Sequence, residues 1–104
     1  MWRVRDRATF EALGRARPSS AGPIRVRRVS VGDGPPRVAY AVGRSVGDAV
    51  RRNRVRRRLR AAVREHAAEL RPASAYLVGA GPEARVMTSK SLSEAVQTAL
   101  RSAS

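Results

Sequence analysis

Val50–Arg64 reads VRRNRVRRRLRAAVR, and its eight arginines, seven of them between Arg51 and Arg60, decide how the rest of the chain is understood. Val55, Leu59, Ala62, Val63, His66 and Leu70 recur at steps of three and four residues. At about 3.6 residues per turn they fall on one stripe of a helix. Asn53, Arg54, Arg57, Arg60 and Arg64 fall on the opposite side. Arg51, Arg52, Arg56 and Arg58 lie at the flanks, where a long stem can rest on the protein while its head reaches water. Like charges one turn apart destabilise a helix by roughly 0.2–0.5 kcal/mol per pair. Only Glu65 and Glu69 lie close enough to offset them, and both follow the run. A polyanion is the natural source of the missing negative charge. The planar guanidinium meets phosphate bidentately and stacks on bases, which favours a nucleic acid. The plainer reading, a solvated charged face, does not account for charge of a single sign at this density.

The whole chain carries the same bias. Its 104 residues have a net charge of +14 and a pI near 12.0, which points to nucleic acid or an anionic membrane surface as partner. The length suits one domain, residues 1–104, with a modest core. Without cysteine, neither disulfides nor a Cys-type zinc site can brace the fold. The N-terminal MWRVRDRATF has no apolar run, and stretches such as Val38–Val42 are far too short to cross a bilayer. The expected setting is cytoplasmic, with no membrane partner.

Outward from the arginine helix, Asp48 is placed to cap its start and Pro72 to follow its end near Leu70. Arg37–Val42 (RVAYAV) reads as a strand apolar enough for the middle of a sheet. Gly32-Asp33-Gly34-Pro35-Pro36 turns the chain into it from an earlier strand, Ile24–Val31. There the alternation breaks at Arg27–Arg28, which suggests a bulge. Residues 1–7 form an extended basic arm or a first strand-like segment. Thr9 is a candidate cap for a short helix holding Phe10 and Leu13 and ending near Gly14, and Arg15–Pro23 reads as a loop. After the arginine helix, Ala75–Ala80 is a third strand broken by Gly81-Pro82. A last helix carries Leu92, Val96 and Leu100 and is capped by Thr88 or Ser89, or by Ser91 at capping-box spacing from Glu94. The order α-β-β-α-β-α predicts an α/β (α+β) two-layer sandwich, with helices on a small mixed sheet.

A protein-borne active site is not suggested. The eight carboxylates are scattered singly, and no motif gathers two as an acid/base pair or a metal clamp. His66, the single histidine, lies on the apolar stripe and reads as a packed residue. The glycine pairs Gly32/Gly34 and Gly79/Gly81 carry no specificity. Tyr40 and Tyr76 lie in apolar strands and read as core. Phe10 suits a core anchor or a base-stacking platform equally well.

Arg37–Arg60, RVAYAVGRSVGDAVRRNRVRRRLR, resembles the signature of the bacterial ribonuclease P protein subunit. The resemblance centres on Arg52-Asn53-Arg54, then Arg56, Arg57, Leu59 and Arg60, preceded by the Gly47-Asp48-Ala49-Val50 turn. RVRDRATF and the last strand and helix extend it, more weakly, over residues 3–100. It implies a ribonucleoprotein that removes the 5′ leader from precursor tRNA. Its RNA subunit would hydrolyse the phosphodiester with Mg²⁺ held mainly by RNA, at one protein per RNA. Carried over by position, Arg51, Arg52, Asn53, Arg54, Arg56, Arg57 and Arg60 would contact the RNase P RNA. Phe10, Arg27 and Arg44 would face the leader, and no residue would be catalytic or bind metal. The resemblance also implies a left-handed βαβ crossover, against the usual hand.

The chain departs from that pattern at five places. Gly14 stands where a second aromatic is frequent, Arg27 where a cleft tyrosine is common, and Ser45 where lysine is usual. Asp48 replaces asparagine, and Gly81 replaces a basic residue. Weaker leader stacking, offset by the charge of Arg25 and Arg27, is the implied consequence. A ribosomal or other structural RNA-binding protein, and a duplex-DNA binder reading a groove with the arginine helix, are the competing readings.

Overall fold

The stripe inferred for the arginine helix is its buried face. In the computed structural model, which describes residues 1–103, Val55, Leu59, Ala62 and Val63 are buried. The elements are β1 (Trp2–Arg3), α1 (Arg7–Arg15), β2 (Ser19–Ala21), β3 (Ile24–Ser30), β4 (Arg37–Val42), α2 (Ala49–Glu65), β5 (Ser74–Ala80) and α3 (Ser89–Ala103). Short 3-10 turns occupy Arg44–Val46, Ala67–Glu69 and Pro82–Val86.

The strands form one mixed sheet in the order β1-β4-β5-β3-β2. β1, β4 and β5 run parallel, whereas β3 is antiparallel to β5 and β2 to β3. Side chains alternate across the sheet, so each strand serves two faces. Ile24, Val26, Val38, Val42, Tyr76 and Val78 share a core with Val55, Leu59 and Val63 of α2 and Leu92, Val96 and Leu100 of α3. The opposite face packs Leu13 of α1 with Val4, Ala39 and Ala75, and with the partly buried Val29 and Leu77. The mixed α+β fold is therefore the expected one, with α1 covering part of the second face.

Several local expectations are corrected. No bulge interrupts β3, whose pairing with β5 runs unbroken from Ile24↔Ala80 to Ser30↔Ser74. The two adjacent arginines simply point to opposite faces. Arg27 reaches the α1 side, and Arg28 Nε donates to Ser74 Oγ at 3.1 Å. Val29 then packs with α1 rather than resuming the Ile24/Val26 face. The loop expected at Arg15–Pro23 contains β2, an edge strand held by backbone pairing that needs no apolar alternation. α1 starts earlier than expected, because Asp6 rather than Thr9 is its cap and accepts from Thr9 N at 2.9 Å. α2 ends at Glu65, not near Leu70. Leu70 must turn back into the core, and the backbone N–H of Arg71, just before Pro72, donates to Tyr76 Oη at 2.9 Å. α3 is capped as expected by Thr88, whose Oγ1 accepts from Ser91 N at 3.1 Å.

The start of α2 is set by Gly47 and Asp48. Gly47 has φ +142°, and a Cβ there would lie 2.9 Å from Arg51 Cδ, so the turn that aims the helix needs glycine. Asp48 Oδ1 accepts from Arg51 N at 3.0 Å, and that backbone hydrogen bond holds its carboxyl below the ordinary value, with Arg51, Arg85 and Arg52 adding to the effect. A lowered folded-state pKa contributes stability above the unfolded value of about 3.9. The contribution is lost as pH falls through the lowered value. Asp48→Asn keeps a capping oxygen that does not titrate. Between about pH 6 and about pH 3 the melting temperature should therefore fall further in the wild type than in Asp48→Asn, since the window opens below about 3.9. Parallel losses in the two proteins would remove the charged cap from the account.

Candidate nucleic-acid interface

The arginines of α2 divide by where their heads go. Arg51, Asn53, Arg54, Arg57, Arg60 and Arg64 are exposed, and Arg52 and Arg56 are half-buried. Arg56 Nη1 donates to Asn53 Oδ1, so the asparagine orients its neighbour. Arg58 is turned inward, donating to the carbonyl of Ala84 at 3.0 Å and to that of Met87. It braces the Pro82–Val86 turn against the helix. Among the described residues, Arg51 is the one arginine of α2 with a carboxylate partner, Asp48 Oδ2 at 3.4 Å.

Position along the helix sharpens the imbalance. The helix spans Ala49–Glu65, so the dense run Arg51–Arg60 fills its N-terminal two thirds. The helix dipole is positive at that end, where anions are stabilised and cations are not. The dipole acts only within the first turn, so along the rest of the exposed row it is the side-chain charge that asks for an anion. Arg85 joins Arg51, Arg54 and Arg58 around a small depression of about 140 Å³. Nothing in its sequence surroundings marked Arg85, because it reaches α2 through the turn after β5.

A second surface lies on the sheet face beside α1. A groove of about 290 Å³ is lined by Ala41, Leu77 and Gly79 together with Arg25, Arg27 and Ser45. Small residues keep it open; a Cβ on Gly79 would meet the Ala41 carbonyl oxygen at 3.2 Å. Arg27 donates to the carbonyls of Ala16 and of Gly14, the latter at 3.4 Å, and so ties the sheet to the end of α1. Arg25 is exposed beside it. Arg44, exposed in the turn after β4, adjoins Ser45 but does not line the groove.

Phe10 is elsewhere. It lines a third depression, of about 450 Å³, with Trp2, Tyr40, Arg60 and Arg64. The three residues assigned to the leader therefore do not converge in one depression. Tyr40 is only in part the core residue its strand suggested, because it packs against the core without being enclosed by it. It is half-buried, and the Arg60 guanidinium lies 5.5 Å from its ring centre. Burial pushes its phenol up, against the pull of Arg60 and Arg64, so it is a neutral hydroxyl at neutral pH. Tyr76 is fully buried, as expected. His66 leaves α2 as its C-terminal cap, half-buried, with Nε2 2.8 Å from Ser93 Oγ. Ser93 Oγ donates to Glu65 Oε2 at 2.9 Å, so the serine proton is directed to the carboxylate and the three groups tie α2 to α3.

Among the described residues, no three His, Cys, Asp or Glu side chains converge as a metal site, and no helix is long and apolar enough to cross a membrane. The interface is a set of cationic surfaces on a small α+β body.

A family model described as Ribonuclease P matches residues 1–104. The chain belongs to the ribonuclease P protein family. The ribonuclease P protein component of Mycobacterium ulcerans is 34% identical over 106 residues, covering 97% of this chain and 88% of that protein. The ribonuclease P protein component of Thermobifida fusca is 43% identical over 70 residues, 67% of this chain but 48% of the relative, so the matched stretch spans about half of that protein. The RNase P protein from Thermotoga maritima has the same fold, with a TM-score of 0.84 at 19% identity over 98% of this chain and 97% of that one. In this chain the fold places the arginine helix on one side of the sheet and a small-residue groove on the other.

Proposed function

We propose that this protein is the protein subunit of a ribonuclease P, a ribonucleoprotein endonuclease that removes the 5′ leader from precursor tRNA. The arginine face of α2, with the exposed Arg51, Asn53, Arg54, Arg57 and Arg60 and the half-buried Arg52 and Arg56, docks on the catalytic RNA. The 5′ leader is held on the α1 side of the sheet, where Arg27 and Arg25 line the groove and Arg44 lies in the adjoining turn. Phe10, expected beside them, belongs to the separate depression with Trp2 and Tyr40. One protein serves one RNA. The observation that carries the reading is the row itself, in which Arg54, Arg57 and Arg60 are exposed and, among the described residues, have no carboxylate partner. Its chemistry is phosphate contact, which positions RNA without reading its sequence.

In this reading the magnesium belongs to the RNA subunit, a reading supported by the scatter of His, Asp and Glu among the described residues, no three of which converge. Magnesium held by the RNA subunit would supply the nucleophile and stabilise the leaving oxygen. This chain's own part is to bind, to orient the leader and to screen phosphate repulsion.

Reconstitution tests the proposal. Adding the chain to the RNA subunit of its own ribonuclease P should lower the Mg²⁺ concentration needed to cleave precursor tRNA. It should also favour leader-bearing substrate over mature tRNA. An unchanged Mg²⁺ requirement with no leader preference would sink the idea. Tight binding to ribosomal RNA without leader preference would mark a structural RNA-binding protein instead.

A further inference from the structure

The outer edge of β4 is where the two surfaces meet. β1 pairs with β4 only at Arg37 and Val38, so Ala39–Val42 has no strand beyond it. The depression of about 450 Å³ that contains Phe10 lies along this edge. Five large apolar side chains are exposed among the described residues, namely Met1, Trp2, Phe10, Val50 and Val86, and the first three line this one depression. Trp2 is 55% exposed and Phe10 42%, although the chain has four aromatic residues in all. Arg3, Arg60 and Arg64 also line it, and no carboxylate does.

Rings left in water beside unpaired arginines suit one kind of ligand. An unpaired nucleotide stacks its base on an aromatic ring or a guanidinium plane and places its phosphate on a guanidinium fork. Half of that arrangement is preformed, with Arg60 over Tyr40 at 5.5 Å and Arg37 over Trp2 at 5.6 Å. A second copy of the chain is opposed by a net charge of +14 on each partner. A closed duplex offers phosphates but no free base face.

We propose that the β4 edge groove holds one unpaired nucleotide of the structured RNA on which α2 docks. Its base lies against Tyr40 and Trp2, and its phosphate lies at Arg60 and Arg64. Continuity selects that RNA over the leader, because Arg60 and Arg64 prolong the exposed row of Arg54 and Arg57. The inference rests on the RNA-docking reading of α2 and adds Trp2, Tyr40 and Arg64 to it.

The test measures affinities of the full chain for the RNA subunit and for a blunt RNA duplex. The double variant Tyr40→Leu/Arg64→Gln should bind the RNA subunit about tenfold more weakly, the scale of one lost stacked base, and the duplex nearly as the wild type does. Tyr40→Phe with Arg64 intact returns a ring and should bind the RNA subunit close to wild type, whereas Tyr40→Leu alone should not. Both leave an apolar side chain facing the core, and circular dichroism confirms folding. The single tryptophan, Trp2, should lose fluorescence on binding the RNA subunit and not on binding the duplex. Wild-type affinity in Tyr40→Leu/Arg64→Gln, or equal weakening toward duplex and RNA subunit, overturns the proposal. If Arg54→Ala/Arg57→Ala is impaired in that same experiment, the docking role of α2 stands without the edge groove. If that variant is also unimpaired, the docking reading itself has failed.

Discussion

Leu59→Ala should destabilise the fold by about 2–5 kcal/mol, read as a fall in the urea midpoint at unchanged slope. Leu59 is completely buried in the core shared by α2, α3 and the sheet, among Val55, Val63, Tyr76 and Val78. Cutting its isobutyl group back to a methyl costs the transfer free energy of the lost carbons and leaves a cavity. A rigid sheet on one side and a third helix on the other limit how far the surroundings can collapse into it. A domain of this size has a total stability of about 5–15 kcal/mol, so the variant spends a large share of it. The neighbouring exposed Arg57→Ala should by contrast shift stability by no more than about 0.5 kcal/mol. Comparable losses in the two variants would mean that the helix is not held through its stripe.

Arg54→Ala/Arg57→Ala should weaken binding to the catalytic RNA by roughly 10²–10⁴-fold at moderate salt, since each of the two lost hydrogen bonds to a charged group contributes about 1.5–3 kcal/mol. The slope of log affinity against log salt should become shallower by about 2, one unit for each phosphate contact removed. Melting in the absence of RNA should be unchanged or slightly higher. Both side chains are exposed, lack carboxylate partners and repel their neighbours, at roughly 0.2–0.5 kcal/mol per pair. Normal RNA affinity in the double variant would remove α2 from the docking surface. The opposite signs expected for folding and binding set this face apart from one that merely keeps the protein soluble.

The two variants probe the two sides of one helix, and the division between them was legible in the residues alone. Spacing placed Val55, Leu59, Ala62 and Val63 on the buried side, and each is buried. It placed Arg54, Arg57, Arg60 and Arg64 on the other side, and each is exposed. The main strands were legible for a similar reason, since β3, β4 and β5 carry apolar side chains for a core. β2 was not, because an edge strand of Ser-Ser-Ala is held by backbone pairing alone. The end of α2 was missed because apolar spacing continues to Leu70, whereas the backbone turns at His66 to bring Leu70 back to the core.

By itself the sequence determined the charge, the helix that carries it, the side of that helix left free, and the family signature. The charge and the free side follow from side-chain chemistry and local periodicity, and the signature from residue identities, whereas the end of the helix at Glu65 did not follow from periodicity. Tertiary structure alone decided which arginines are free and which are engaged. Arg58 is tied to the carbonyls of Ala84 and Met87, and Arg27 to those of Gly14 and Ala16. It also separated Phe10 from Arg27 and set it beside Trp2, Tyr40 and Arg60. The physical reason is that these groups meet through the pairing of β1 with β4 and of β4 with β5, contacts between segments far apart in the chain. Periodicity along any one segment carries no trace of them.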